Sequence, residues 1–314
     1  MASFTISLDF ELYWGVSDSR KLLSYKENID GTWDAIPKIL ELFLKYNINA
    51  TWATVGMLMC KDYKDWEYFN KRNKENIYNT NLIKKLKPLI IKYPNAFFAR
   101  ELVEKIIKTQ GQEIATHTYS HISCDDSNIS EKDFLIDIKN AVDVADTMDI
   151  ELQTIVFPRN QINKNFFNCI KEYGFKAYRD NPNHNLYKFG HSNPYGIFGR
   201  FIRFINSYLP IIQNKYFLYN YINTDKESIK GSFFLRPWSR KLFFLEFLKI
   251  YRIKSLMTNA AKQNLNFHLW WHPHNFGSNL VQNIINLEKI LMHYKKLNNK
   301  YNFQSCSMIE IHKL

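Results

Sequence analysis

Short runs rich in branched and aromatic residues alternate along this chain with longer stretches of helical periodicity, a rhythm that a parallel sheet wrapped in helices accommodates. Residues 4–8, 50–55, 113–116, 154–157, 176–178 and 267–271 read as strands, and 32–46, 100–109, 130–148, 164–173, 241–263 and 280–296 as helices. Local punctuation agrees. Ser130 stands as an N-cap with Asp133 in the first turn, and Gly174 follows 164–173 where a left-handed residue closes a helix. Strand and helix in regular succession imply an α/β fold, either an open parallel sheet or a barrel. Two stretches break the rhythm, 57–98, rich in Lys, Asn and Tyr, and 181–235. Both are read as insertions into a single domain spanning 1–314.

With 46% hydrophobic residues over 314, the chain can bury a sizeable core, which excludes disordered and fibrous classes. No run reaches the ~18 apolar residues of a membrane span; even 201–222 is cut by Arg203, Pro210, Gln213 and Lys215. The start, MASFTISLDFELYWG, lacks a basic region followed by an apolar one, so a cleaved signal peptide is not expected. Cys60, Cys124, Cys169 and Cys306 form no CxxC pair and no disulfide framework, which fits a reduced, cytoplasmic setting.

Charge is uneven. Residues 1–199 hold 25 Lys and Arg against 25 Asp and Glu, whereas 200–262 hold 12 against 3. Aromatic side chains are interleaved with these cations. The segment is therefore expected to meet a diphosphate or an anionic inner-membrane surface, beside the plainer reading of a solvated basic face. No nucleic-acid-binding motif accompanies it, so nucleic acid is not an expected partner.

Four places carry candidate chemistry. Asp9 and Glu11 alternate with Phe4, Ile6 and Leu8, so both carboxylates leave the first strand on one side, about 7 Å apart along it. His117 and His121 are four apart; on one helical turn they would face one metal, but the intervening Thr-Tyr-Ser lacks the Glu of HExxH. A third ligand and a base must then come from elsewhere, and the strand-end acids can supply both. His272, fixed by Pro273 at the end of a β-like run, suits a general acid, with His268 and His274 read as structural or substrate-facing. Arg159 opens a polar turn after 154–157, where it can orient a carboxylate or form a surface pair.

Taken together, Ser7-Leu8-Asp9-Phe10-Glu11, Ala50-Thr51-Trp52-Ala53-Thr54-Val55-Gly56, His117-Thr118-Tyr119-Ser120-His121, Phe157-Pro158-Arg159 and Leu269-Trp270-Trp271-His272 resemble, in order, the motifs of the polysaccharide deacetylase family, the NodB-homology carbohydrate esterases. The resemblance implies a distorted (β/α) barrel with fewer than eight strands and its site at the strands' C-terminal ends. It implies one divalent metal, zinc by expectation, on Glu11, His117 and His121, with Asp9 as base, His272 as acid, and Arg159 orienting Asp9. In this chain Pro precedes the arginine instead of following it, so Arg179 is its rival. Trp14, Tyr119, Asn160, Arg179 and Trp271 are candidate substrate contacts, each aromatic among them equally readable as core. The expected substrate is an N-acyl amino sugar of a bacterial surface-glycan precursor, carried on a nucleotide or lipid diphosphate. The alternatives are an amidohydrolase or deformylase acting on a formamido sugar or small cyclic amide, and a non-catalytic glycan-binding module, against which the intact acid and histidine set argues.

Overall fold

β1 (Ser3–Phe10) is buried along its whole length, and its alternation separates two environments. In the computed structural model, which describes residues 1–71, 77–187, 195–220 and 227–314, Phe4, Ile6, Leu8 and Phe10 point to a shell of helices. Thr5, Ser7 and Asp9 point the other way, into the sheet's concave side. Around β1 run β2 (Ala50–Thr54), β3 (Gln112–Thr116), β4 (Thr154–Ile155), β5 (Ala177–Asp180), β6 (Ser228–Lys230), β7 (Phe233–Phe234) and β8 (Asn266–Trp271), with β9 (Gln304–Ser305) paired to the start of β1. Every ladder among these strands is parallel, in the order β6-β5-β4-β3-β2-β1-β8-β7.

The two ends of that order are consecutive in sequence. Between β6 and β7 lie only Gly231, whose N–H donates to Asp180 O on β5 (2.7 Å), and Ser232, whose N–H donates to His268 O on β8 (2.9 Å). One kinked run of chain thus touches both edges and curls the sheet into the distorted barrel that the motifs implied. Ser228–Phe234 therefore belong to the barrel wall, a correction to the reading of 181–235 as an insertion throughout. A Cβ at 231 would sit 3.1 Å from Arg179 Cδ, so a larger residue there would press on the arginine.

The helices are α1 (Leu22–Tyr46), α2 (Tyr63–Lys71), α3 (Ile77–Lys92), α4 (Arg100–Lys108), α5 (Glu131–Asp146), α6 (Phe167–Glu172), α7 (Gly196–Asn206), α8 (Glu246–Gln263), α9 (His274–Gly277), α10 (Leu280–Tyr301) and α11 (Met308–Lys313). The stretch 57–98 is largely helical, carrying α2 and α3; 72–76 within it, and 188–194 and 221–226 within the second stretch, lie outside the described residues. Ser130 and Asp133 form the expected cap reciprocally. α1 begins ten residues before the expected 32, because Gly31 and the charged stretch before it hide its periodicity; Gly31 is there for a close approach, a Cβ meeting Gly277 O of α9 at 2.2 Å.

The barrel interior is narrow and filled by small side chains. Ala53, Ala115, Val156, Ala177 and Ile229 pack against Met308 and Ile311 of α11, which closes the N-terminal end of the strands. There Glu113, half-buried, accepts from Thr51 Oγ1 (2.7 Å), Thr154 Oγ1 and the Ile309 N–H (3.1 Å). Burial pushes its pKa up. With the lower end plugged, polar groups that enter the barrel accumulate at the other end, where the strands' C-termini open.

Candidate metal centre

Asp9 rises from the concave side of β1 and is met by Arg179 from β5. Arg179 Nη1 donates to Asp9 Oδ1 at 2.6 Å and Nη2 to Oδ2 at 2.7 Å, a two-pronged pair between side chains 1% and 3% exposed. The arginine is itself held on three further sides. Nη2 donates to Asn160 Oδ1 (2.9 Å), Nη1 to Ser7 Oγ (2.9 Å), and its guanidinium lies 4.4 Å from the Trp270 ring centre. Ser7 Oγ also meets His268 Nε2 at 2.8 Å. Burial, with Arg179 beside it, depresses the His268 pKa to about 3, so the imidazole is neutral and its Nε2 accepts the Ser7 proton. Burial pushes Asp9 towards neutrality, but Arg179 outweighs it and holds the carboxyl below its ordinary value.

Glu11, two residues on, has three imidazoles around one oxygen. His117 Nε2 lies 3.0 Å from Glu11 Oε1, His121 Nε2 3.3 Å and His272 Nε2 3.5 Å; His272 Nε2 is also 3.7 Å from Asp9 Oδ2. Burial opposes ionisation of Glu11, yet His272 and His121 facing it hold it well below the usual carboxylate range. The donor set passes a test of fit to a cation. His117 Nδ1 is 2.7 Å from the carbonyl of Val156, which can only accept, while Nε2 faces the Glu11 carboxylate, which also accepts when ionised. A neutral ring has one N–H for these two acceptors. A cation between Nε2 and Oε1 meets that need, as a second ring proton would, and the carbonyl behind Nδ1 is the outer contact usual for a metal-bound histidine. Glu11, His117 and His121 present ligand atoms within 4.8 Å of one another, as do Asp9, Glu11 and His272. Both oxygens of Asp9 are already occupied by Arg179, so the first set is the better cage.

The histidine pair does not sit on a helix. His117 follows β3, its N–H bonded to Thr54 O (2.9 Å), and the chain then turns through left-handed conformations at Thr118 (φ 62°) and His121 (φ 56°). A β-branched residue in that region is strained and needs support. Asp137 of α5 supplies it, accepting from Tyr119 N–H (2.7 Å), Ser120 N–H (3.2 Å) and Ser120 Oγ; Thr118 Oγ1 accepts from Ile122 N–H at 3.2 Å. This clamped turn is what aims both Nε2 atoms at Glu11. Asp137 was not singled out in the sequence, since an acid on a helix has no local sign of a distant turn.

His272 is the accessible member, its side chain 24% exposed. Tyr25 Oη donates to Asn275 Oδ1 (3.2 Å), which turns the Asn275 amide nitrogen towards His272 Nδ1 (3.4 Å) and fixes the ring with Nε2 facing the acids. Beside it opens a cavity of about 160 Å³ lined by Trp270, Phe234, Tyr187, Ser207, Arg203 and Arg236.

Several expected contacts fall elsewhere. Among the described residues Arg159 pairs with Asp18 on the surface, and Arg179 is the partner of Asp9. Asn160 likewise turns to Arg179 and its backbone to Asn181. Trp14 packs on Trp66 and Phe97 with its N–H on Phe97 O, Tyr119 is buried with its hydroxyl on Cys60, and Trp271 stacks on Phe276 in the outer core. None of the three offers a face to a sugar. Alternation explains Trp271: its neighbour Trp270 is the one that points inward, with Ser7 and Arg179.

Residues 29–178 match the family model described as polysaccharide deacetylase. No curated protein matches the chain significantly. Among solved structures, a polysaccharide deacetylase described as putative from Mycobacterium smegmatis aligns over 99% of this chain and 90% of its own, with TM-score 0.57 and 11% identity. A probable polysaccharide deacetylase from Pseudomonas aeruginosa PAO1 aligns over 99% and 89% (TM-score 0.50, 13% identity), and Puue allantoinase over 99% and 88% (TM-score 0.53, 13% identity). At these identities the structures establish a common fold.

Proposed function

We propose that this chain, a member of the polysaccharide deacetylase family through its domain at residues 29–178, is a metal-dependent hydrolase that removes an N-acyl group, acetyl in the first instance, from an amino sugar. The observation that carries the reading is the paired arrangement of acids: Asp9 clamped and ionised by Arg179, and Glu11 ringed by His117, His121 and His272. Glu11, His117 and His121 would hold the ion, zinc being the choice of a mixed nitrogen and oxygen set. Such an ion supplies a Lewis acid at the acyl carbonyl and lowers the pKa of water from about 15.7 towards 7.

The chain's own groups move the protons. Asp9, ionised and with both oxygens fixed in direction by Arg179, accepts the proton of the attacking water. His272, in its doubly protonated imidazolium form, would deliver the Nε2 proton to the amine as the C–N bond breaks and return to a neutral imidazole. Arg179 keeps Asp9 ionised until it takes that proton, and the Ser7–His268 pair keeps Arg179 in place. The neutral His268 adds no charge against it.

A nucleotide- or lipid-diphosphate-linked amino sugar is supported as substrate by the cavity beside His272, which joins aromatic walls to Arg203 and Arg236. The buried, unpaired cysteines support a reducing, cytoplasmic setting. The small volume of that cavity also favours a second reading, hydrolysis of a formamido sugar or a small cyclic amide. Incubating metal-loaded protein with UDP-linked N-acetyl and N-formyl amino sugars and with cyclic amides separates them. Acetate release that disappears in Asp9→Asn is expected; formate release or ring opening without acetate moves the assignment to the second reading. Release from none of these substrates contradicts both.

A further inference from the structure

All five exposed phenylalanines among the described residues lie in one fifth of the chain. Phe198 and Phe201 are 64% and 57% exposed on α7; Phe243, Phe244 and Phe247 are 65%, 58% and 68% exposed at the start of α8 and in the turn before it. Ile197 (83%) and Tyr251 (72%) extend the two sets. Their spacing is helical, 197, 198, 201 and 244, 247, 251, so each helix presents one apolar stripe to solvent. The opposite face of α7 carries Gly199, Arg203 and Ser207 inward, and Arg203 and Ser207 line the cavity beside His272. The two helices are neighbours: Arg252 Nε of α8 donates to Asn206 O of α7 (3.3 Å), and Arg236 bridges to Ser207 Oγ (2.8 Å).

The exposed charges interleaved with these phenylalanines are cationic. Arg200, Arg240 and Lys241 are exposed among the phenylalanines. The two described carboxylates between 195 and 262 are both engaged, Glu246 buried against Lys249 and Asn286, and Glu227 near Lys171. A second copy of this chain would not cover such a surface well, because a two-fold contact sets the same cations against each other. Phenylalanine stripes flanked by arginine and lysine complement an anionic lipid interface, where rings enter the acyl boundary and cations meet headgroups. No helix among the described residues is long and apolar enough to cross a membrane, so the contact is at the surface.

We propose that α7 and the start of α8 dock this protein on an anionic lipid bilayer, with the cavity beside His272 at the rim of the contact. The proposal is independent of the reaction assigned above. Arg236 is not part of the docking face; it is half-buried, stacked on Phe204 and bonded to Ser207, and is better left unmutated. The test is cosedimentation of the full chain with vesicles of phosphatidylcholine alone or with a third of phosphatidylglycerol. Wild type is expected to partition at least tenfold more strongly onto the anionic vesicles. Phe198→Ser/Phe247→Ser should lose at least tenfold at any salt, while Arg200→Ala/Arg240→Ala/Lys241→Ala should lose binding at low salt and match salt-weakened wild type at 0.5 M. Wild type that does not prefer anionic vesicles, or either variant binding as wild type at low salt, overturns the proposal. So does a wild-type dimer that becomes monomeric in the phenylalanine variant without vesicle binding, which would assign the face to a second copy.

Discussion

Asp9 and Arg179 come from strands separated by 170 residues of sequence, yet each oxygen of one meets a nitrogen of the other. Lysine keeps the charge at that position but not the fork. Arg179→Lys is therefore expected to lower kcat by about 100-fold, about 3 kcal/mol of transition-state stabilisation, with metal content unchanged; Arg159→Ala, which breaks only a surface contact with Asp18, should stay near wild type. Steady-state rates on one acetylated substrate decide between them. A Cβ at Gly15 would fall 1.8 Å from Glu11 Oε2, so Gly15→Ala should displace that carboxylate and reduce metal content although every ligand residue is kept. The acids and histidines were legible in the sequence because each stands at the end of a readable strand. The choice of Arg179 over Arg159 was not, because it depends on which residues of two distant strands face the barrel axis.

The turn 117–121 shows what an element adds to its residues. Four-residue spacing on a helix would also bring two histidines together, but here strand, left-handed turn and the Asp137 clamp achieve the convergence instead. Asp137→Asn keeps the size but removes the charge that three donors address, and should cost about 1.5–3 kcal/mol of stability and about 10–100-fold in metal affinity, read by denaturant titration and a chelator competition. Gly31 and Gly277 bring α1 against α9 backbone to backbone, which no side-chain pattern announces. Replacing Gly31 by Ala should destabilise by about 1–3 kcal/mol through forced separation of the two helices, measurable by the same titration, and should disturb the His272 loop that α9 follows.

At the scale of the whole molecule the α/β rhythm revealed a parallel sheet, but the closing strand hid inside an apparent insertion because Gly231 splits it into two short pieces. Closure gives the barrel one end plugged by α11 and one end that opens on the acids and histidines. His268 and His274, enclosed at the polar end, are held neutral, their pKa values pushed by burial down to about 3. Unfolded, each would take up a proton near 6.5. Their contribution to stability is thus fully present above about pH 6.5 and is lost as pH falls from there towards 3, so denaturation midpoints should drop steeply between pH 6.5 and 5, less so in His268→Gln. Everything proposed for the polar end turns on one ion held by Glu11, His117 and His121, with Asp9 beside it but not bound to it. Zinc stoichiometry measured on the wild type, Asp9→Asn, Glu11→Ala and His117→Ala tests this directly: one ion per chain is expected in the first two and little in the others, whereas an empty wild type, or loss in Asp9→Asn with retention in Glu11→Ala, would contradict it.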